Sequence, residues 1–471
     1  MHLIRILFAG VSSLALLGPL YAEDLRQVYE LATYRDPTIQ AAYASLQANR
    51  QQLPLAIAQM IPNLSANYSA SGTSAHPATP SPFVFTGNYN TKNYGLTLSQ
   101  PIYHPELWGQ LEQSRHLVKS AMATYVSATQ ELIIRVTQQY FSILTAIDDL
   151  DFFKGQRTAF EREYEQAKQR FDVGLIAITD VETAKAKFDT ARANEISANN
   201  AVADQYEKLR EIVGEPIQQV SLFPMSHPLN LLPPSPNLQE EWVMMANLQN
   251  SDIIAAREQA EQQKAVIGTQ VAGHFPKVDL SGNLQRSKAS PPFNDYTYYR
   301  SVSLNVSIPL FSGGGVVFKT REASARYSEA LELLERQQRT TQSATRQAFR
   351  GVLTTISRVQ ALNQAVISND ASLRATKAAY EVGTRTIVDV LNAESDLLSA
   401  KRDLSKARYN YLYQGLLLKQ AAGSLTPEDL YLVNQLMLGK ENVIKISPEA
   451  VKKGKKIKKS KKTEKTEKTE K

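Results

Sequence analysis

The sequence has no cysteine and only six histidines in 471 residues. The absence of cysteine excludes disulfides, thiolate metal sites and a lipid anchor on an N-terminal cysteine. The histidines are scattered, and their spacing fits neither a metal-ligand set nor a catalytic triad. They are His2, His76, His104, His116, His227 and His274. No constellation of residues therefore predicts an enzyme, a metal site or a cofactor site.

Long hydrophobic runs are also missing after the first 22 residues. Within residues 1–22, Arg5 precedes an apolar run from Ile6 to Leu17, and the small residue Ala22 follows, which is typical of a secretory signal peptide. No later segment approaches the roughly 18 apolar residues of a spanning helix. The glycines at 313–315 are not followed by the Lys-Ser or Lys-Thr of a phosphate-binding loop, and we interpret them as a flexible junction.

Negative charge predominates slightly once the last residues are set aside. The net charge of +7 includes a tail, Lys452 to Lys471, with eleven lysines and three glutamates. The rest of the chain is therefore close to neutral, at −1, so nucleic acid is not an expected partner. A tail of this composition is expected to be disordered and solvated, and binding of an anionic envelope polymer is the functional alternative.

Proline is absent between Pro105 and Pro216 and again between Pro309 and Pro427. Because proline breaks helices, these gaps predict two long helical hairpins. In both hairpins apolar and small residues step by three and four, which forms a heptad seam that recurs at an offset of 209 residues. The two copies of the seam are residues 181–209 and 390–418. One interwoven structure with an internal repeat is expected.

Each hairpin turns at a glycine in a matched position, Gly174 or Gly383. Glycine readily adopts the left-handed conformation that ends a helix. A capping box is predicted after each turn, formed by Thr179 with Glu182 and by Thr386 with Asp389. Both tips are therefore expected to be tight and ordered.

Four segments alternate apolar and polar residues with period two, which predicts strands at about 62–74, 92–103, 276–288 and 296–311. Tyrosines near the strand ends favour a transmembrane β-barrel, and a half-buried pair of strands in a soluble sheet is the alternative. Prolines mark the expected helix–strand junctions at Pro62, Pro101, Pro276 and Pro309. The smallest membrane barrels have about eight strands, so two or three copies must associate.

The residues at the tips resemble the TolC family of outer-membrane efflux channels. The strings that carry the resemblance are VGLIAITDV at 173–181 and YEVGTRTIVDVL at 380–391, and the likeness extends in order from Glu23 to about Gly423. The resemblance implies a mainly α protein with a membrane β-barrel. Three copies would form a homotrimeric 12-stranded β-barrel continued by a 12-helix periplasmic α-barrel. It also implies an outer-membrane location, contact with outer-membrane lipid and no catalytic activity. A periplasmic adaptor (membrane fusion) protein and an inner-membrane transporter would be the partners.

The resemblance also assigns roles at the tips. Tyr380 and Arg385 would bind Asp180 and Thr179, within and between protomers, as a latch that closes the periplasmic end. Asp389 would line the lumen as a ring of three carboxylates. Family members close to this chain have a second aspartate one helical turn later, where this sequence has Asn392, which predicts weaker cation selectivity. Without the resemblance, these residues would be ordinary caps and surface groups.

The expected organisation has six parts. They are a signal peptide at 1–22, a first repeat at 23–214, an equatorial segment at 215–238, a second repeat at 239–424, a C-terminal equatorial segment at 425–445 and a disordered tail at 446–471. The expected function is an outer-membrane exit duct for tripartite efflux or type I protein secretion. The alternative is a secreted periplasmic coiled-coil scaffold or adaptor that does not enter the membrane.

Overall fold

The computed structural model describes residues 24–75, 87–214, 229–290 and 295–437. The predicted signal peptide, residues 215–228 of the first equatorial segment, residues 438–445 of the C-terminal equatorial segment and the lysine-rich tail lie outside the described residues. The elements in chain order are α1 (Leu25–Arg35), α2 (Pro37–Arg50), α3 (Gln52–Ala58), β1 (Asn63–Ala75), β2 (Gly87–Tyr103), α4 (Pro105–Asp172), α5 (Ile178–Val213), α6 (Gln239–Gln249), α7 (Ser251–Val271), β3 (Lys277–Ser290), β4 (Tyr296–Ser307), α8 (Gly315–Glu381), α9 (Ile387–Ala421) and α10 (Pro427–Met437).

Helices α4 and α8 have 68 and 67 residues. At about 1.5 Å per residue, each is roughly 100 Å long. The two predicted hairpins, α4–α5 and α8–α9, are confirmed, and both turn at the expected glycines. Within the described ranges, no helix combines the length and apolarity needed to cross a lipid bilayer.

The residues of the predicted seam lie on the sides of α5 and α9 that pack against neighbouring helices. Its small residues are buried in both copies, as for Ala184 and Ala191 in α5 and Ala400 and Ala407 in α9. Small side chains allow helix axes to approach closely, so long helices pack side by side without a wide core. Helix α4 contacts α5, α7 and α9, and this central position joins the two repeats.

The largest apolar cluster lies around the middle of α4, where α1, α9 and α10 pack against it. Its fully buried members include Leu132, Ile143 and Leu430. Asp36, which is 1% exposed, caps α2 and forms an ion pair with Arg135 of α4. The short helices are therefore fixed to the side of the long ones by apolar burial and a partly buried charge pair.

The four strands form one antiparallel sheet in the order β1-β2-β3-β4. Within the described chain, no strand pairs with the outer edges of β1 and β4. The prolines Pro62 and Pro276 precede β1 and β3, and Pro309 follows β4, so the ladder stops where proline cannot donate a hydrogen bond. The sheet is a segment with two open edges.

The two faces of this sheet differ in polarity, because side chains alternate along each strand. The face that we call the apolar face carries Leu64, Leu96, Leu98, Leu284, Val302 and Leu304, all of which are more than 40% exposed. The opposite, polar face carries serine, threonine and asparagine that bond across strands. Ser287 Oγ, for example, lies 2.7 Å from Asn93 Oδ1. This distribution is the one expected for a wall between lipid and a polar lumen.

Two strand boundaries differ from the predictions. Strand β2 begins at Gly87, about five residues earlier than expected, because residues 87–91 pair with the end of β1, although Gly87, Asn88 and Asn90 are of types that strands disfavour. Strand β4 ends at Ser307, before Pro309, and not near residue 311. Pro101 lies within β2 at a register shift, so it marks a bulge and not the helix junction that we expected.

Candidate functional site at the hairpin tips

Both tips end in the same backbone arrangement. Gly174 and Gly383 have φ values of 78° and 79°, in the left-handed region that glycine tolerates best. The next residue at each tip, Leu175 or Thr384, donates its N–H to the carbonyl five residues earlier at 2.8 or 2.9 Å. These bonds satisfy carbonyls that a helix end leaves free, so the tips are closed turns.

The caps after the two turns differ. The predicted box of Thr386 and Asp389 is confirmed, with the Thr386 N–H 2.9 Å from Asp389 Oδ2. The predicted box of Thr179 and Glu182 is wrong, because α5 begins two residues earlier than that box requires, with Ala177 as its N-cap and no side-chain cap bond. The start of α9 at the second tip is therefore stabilised by a side-chain cap that the start of α5 at the first tip lacks.

Tyr380 lies at the contact between the two hairpins. Its ring packs on an apolar cluster formed by Phe160, Ala191, Ile387 and Leu391, which come from α4, α5 and α9. Its Oη accepts a hydrogen bond from Nη1 of Arg170 at 2.5 Å, and the guanidinium lies 4.6 Å from the ring centroid. Burial raises the pKa of Tyr380, so the phenol stays neutral at physiological pH.

The other three predicted latch residues lie at the surface of the tips. Thr179 and Arg385 are exposed and Asp180 is half-buried. Among the described residues, neither Thr179 nor Asp180 forms a side-chain hydrogen bond with Tyr380 or Arg385. Asp180 is close enough to Tyr380 for its charge to raise the pKa of the phenol. The structure thus brings Tyr380 and Asp180 near each other but gives the hydrogen bond to Arg170.

Arg170 is the tip residue that the sequence analysis missed. It occupies the last turn of α4, where a basic residue is ordinarily explained by the negative end of the helix dipole. Nothing in the sequence pairs it with a tyrosine 210 positions away.

Asp389 and Asn392 lie one turn apart at the start of α9. Two hydrogen bonds from Thr386, reinforced by nearby Arg385, lower the pKa of Asp389, so its carboxylate stays charged at neutral pH. Asn392 is exposed and borders a groove of about 640 Å³ between α5 and α9. Each chain therefore presents one charged and one neutral polar side chain at this level.

An ion pair and a hydrogen bond join α4 to α9 of the second hairpin above the tips. Lys406 of α9 lies 2.9 Å from Asp149 of α4, and Gln156 of α4 donates to Ser395 of α9 at 2.9 Å. Next to Asp149, Asp148 is partly buried against Tyr409 and Ser405, and this burial raises its pKa to about 6. The α4–α9 contact therefore contains a carboxyl group that titrates near neutral pH.

The comparisons with known proteins agree with this geometry. The family model described as outer membrane efflux protein matches residues 28–215 and 242–424. Outer membrane protein TolC of Escherichia coli K12 is 32% identical over 95% of this chain and 92% of its own length. The alkaline protease secretion protein AprF of Pseudomonas aeruginosa is 27% identical over 90% of this chain and 89% of its own length.

The crystal structure of the CmeC outer membrane channel of Campylobacter jejuni has the same fold. It superposes with a TM-score of 0.75 at 18% identity and covers 88% of this chain and 89% of its own. The family model spans both repeats and both hairpin tips. On this evidence the chain belongs to the TolC family of outer membrane efflux proteins.

Proposed function

We propose that the protein is a passive exit duct in the outer membrane, used for efflux or protein secretion and gated at the hairpin tips. The observation that carries the proposal is the sheet with opposite polarities on its faces and two open edges. In lipid, backbone groups at an open edge lack water, and leaving them unpaired costs several kcal/mol each. The edges of β1 and β4 must therefore pair with other copies of the chain.

A homotrimer fits the family and the strand count. Two copies would supply eight strands and three would supply twelve, and only twelve leaves a lumen wide enough for a duct lined by polar side chains. The polar residues of β1 to β4 would line this lumen, while the long helices of three chains would continue it into the periplasm.

Membership of the family decides between the two functions considered from sequence. The family consists of outer-membrane transport ducts without enzymatic activity, so a periplasmic scaffold that stays out of the membrane is excluded. A duct has no energy source of its own, and an inner-membrane transporter with a periplasmic adaptor would supply cargo and energy. Large exposed apolar side chains at the tips support such docking, since Leu175 and Val382 are 73% and 75% exposed.

The gate would combine contacts within and between chains. Arg385, Thr179 and Asp180 are placed at the tip surface, where a neighbouring chain could complete the latch. An exposed ion pair contributes only about 0.2–1 kcal/mol, so the latches of three chains together amount to a few kcal/mol. Docking of an adaptor could supply that much. Asp389 of each chain would form the charged ring in the lumen.

The experiment is reconstitution of the full chain. The purified protein is expected to be trimeric by analytical ultracentrifugation in detergent, to migrate as a heat-modifiable oligomer and to carry ionic current in planar bilayers. A monomer that carries no current would refute the proposal. A trimer with no current in any state would leave the assembly but refute the duct.

A further inference from the structure

The apolar face of the sheet carries a cluster of positive charge. Lys92 of β2 lies opposite Lys288 of β3. Arg286 is the next residue of β3 on the same face, and Arg300 of β4 lies opposite Leu284 of β3. We call these four side chains the cation cluster. Among the described strand residues, the only carboxylate is Asp279, which lies on the polar face near the helices and contacts His104 at 2.9 Å. The cluster therefore has no acidic partner on the strands.

The cation cluster lies in the half of the sheet that is farther from the helices. The chain passes between strand and helix near residues 62, 104, 276 and 308, whereas the loops beside the cluster join β1 to β2 and β3 to β4. The first loop, residues 76–86, contains no acidic residue in its sequence, and the second, residues 291–295, contains one, Asp295. Since the helical tunnel lies in the periplasm, this end of the sheet faces the outer leaflet of the outer membrane.

Tyrosines lie among the cations of the cluster. Tyr94 and Tyr298 pair with Arg286, and Tyr296 pairs with Lys288, whereas Arg300 lies nearer the helices, at the level of Leu96 and Leu284. Tyr68, Tyr94, Tyr296 and Tyr298 share the apolar face, and the Arg286 guanidinium lies 3.6 Å from the Tyr296 ring centroid and 5.4 Å from that of Tyr298. Tyrosine rings prefer the boundary between hydrocarbon and headgroups. The cations next to them are consequently placed at headgroup level, where phosphate groups are the available anions.

Two adjoining depressions lie on this face, with volumes of about 520 Å³ each. The first is bordered by Arg286, Tyr94 and Tyr298, and the second by leucines and Val302. Arg300 borders both, together with Leu96 and Leu284. A charged group in the first depression and a hydrocarbon chain in the second would be held by one continuous surface.

We propose that this face binds one doubly phosphorylated glycolipid of the outer leaflet, with its phosphates on the cation cluster and an acyl chain in the second depression. Arginine forms paired hydrogen bonds to phosphate oxygens, and lysine adds point charges, so two phosphates match the four cations. The inference rests on the outer-membrane location and is independent of the gate. Each cation at the membrane surface strengthens binding by roughly fivefold.

Native mass spectrometry of the detergent-solubilised full chain tests this proposal. The probes are bisphosphorylated lipid A, the same glycolipid after phosphate removal, and phosphatidylglycerol. The wild type is expected to retain the bisphosphorylated glycolipid preferentially. The double variant Arg286→Gln with Arg300→Gln should bind it roughly 25-fold more weakly, at fivefold per cation. Equal retention of the phosphate-free glycolipid or of phosphatidylglycerol by the wild type would overturn the proposal.

The matched control is Arg350→Gln with Arg358→Gln, which removes the same charge from exposed positions in the middle of α8. It should bind the glycolipid as the wild type does, and an equal loss in the control would also overturn the proposal. A heat-modifiable oligomer and unchanged bilayer current would show that the double variant folds. If the glutamine double variant does not fold, the variant Arg286→Lys with Arg300→Lys is tested in its place. It keeps both positive charges and should retain more than half of the bound glycolipid. Complete loss of binding in that folded variant would contradict the assignment.

Discussion

Arg170 and Tyr380 join the two hairpins of one chain at their tips. The guanidinium of Arg170 donates to the phenol oxygen at 2.5 Å and also lies over the ring, 4.6 Å from its centroid. A half-exposed cation–π contact contributes about 0.5–1 kcal/mol, and the hydrogen bond adds directional preference. Opening of the tip by separating α8 from α4 requires this contact to break. The first hairpin therefore restrains the second without help from a neighbouring chain.

Replacement of Arg170 by glutamine should raise channel conductance. The substitution removes both the hydrogen bond and the ring contact, so the second hairpin is held less firmly. Single-channel conductance in planar bilayers measures the effect. Arg162→Gln is the control, because Arg162 is an exposed arginine on the same helix. Identical conductance of the Arg170 variant and the wild type would show that the contact does not restrain opening.

The double variant Tyr380→Phe with Arg385→Ser should also conduct more than the wild type. It removes the phenol oxygen that Arg170 uses and the exposed arginine that would reach a neighbouring chain. The combined effect is expected to exceed that of Arg170→Gln, because Arg385 would make its contact with a neighbouring chain. If the double variant conducts no more than the wild type, these side chains act only as caps and surface groups.

Substitution of Asn392 by aspartate should strengthen cation selectivity. A ring of three carboxylates attracts monovalent cations, and dissolved salt weakens this attraction. A second ring one turn from Asp389 would add a comparable attraction and increase block by multivalent cations. Reversal potentials across a salt gradient measure this, with Asn392→Gln as the neutral control. Unchanged selectivity in the aspartate variant would place residue 392 away from the lumen.

Asp148 should make stability depend on pH. Burial raises its pKa to about 6 from the ordinary 3.8, so the folded chain holds this proton more tightly than the unfolded chain does. The stabilising contribution of protonated Asp148 is complete below about pH 4 and is lost as the pH rises through about 6. Because the group is partly exposed, the loss is expected to be about 1 kcal/mol.

The variant Asp148→Asn should consequently be more stable than the wild type at pH 7.5 and nearly equal to it at pH 4. Thermal unfolding followed by circular dichroism at both pH values measures the difference. Glu165→Gln is the control, since Glu165 is an exposed carboxylate on the same helix, 17 positions from Asp148, and its removal should change the stability equally at both pH values. Equal stabilisation by Asp148→Asn at both pH values would mean that Asp148 does not titrate in this range.

The sequence predicted the tip turns better than the tip contacts. Gly174 and Gly383 could be placed because a positive φ at the end of a helix is a local requirement that glycine satisfies. The box at Thr386 could be placed for the same reason, but the box at Thr179 failed because α5 begins at Ile178. Helix starts depend on small differences among neighbouring caps, and here the packing of Ile176 and Val181 accompanies the earlier start.

The amino-acid sequence by itself determined the internal repeat, the two long hairpins, the four alternating strands and their need for other copies of the chain. These follow from period, proline placement and strand count, which are properties of neighbouring residues. Only the tertiary structure decided which distant side chains meet. The partner of Tyr380, the burial of Asp148 against α9 and the pairing of Lys92 with Lys288 join positions about 200 residues or more apart. Such contacts depend on helix packing and strand register, which no local pattern specifies.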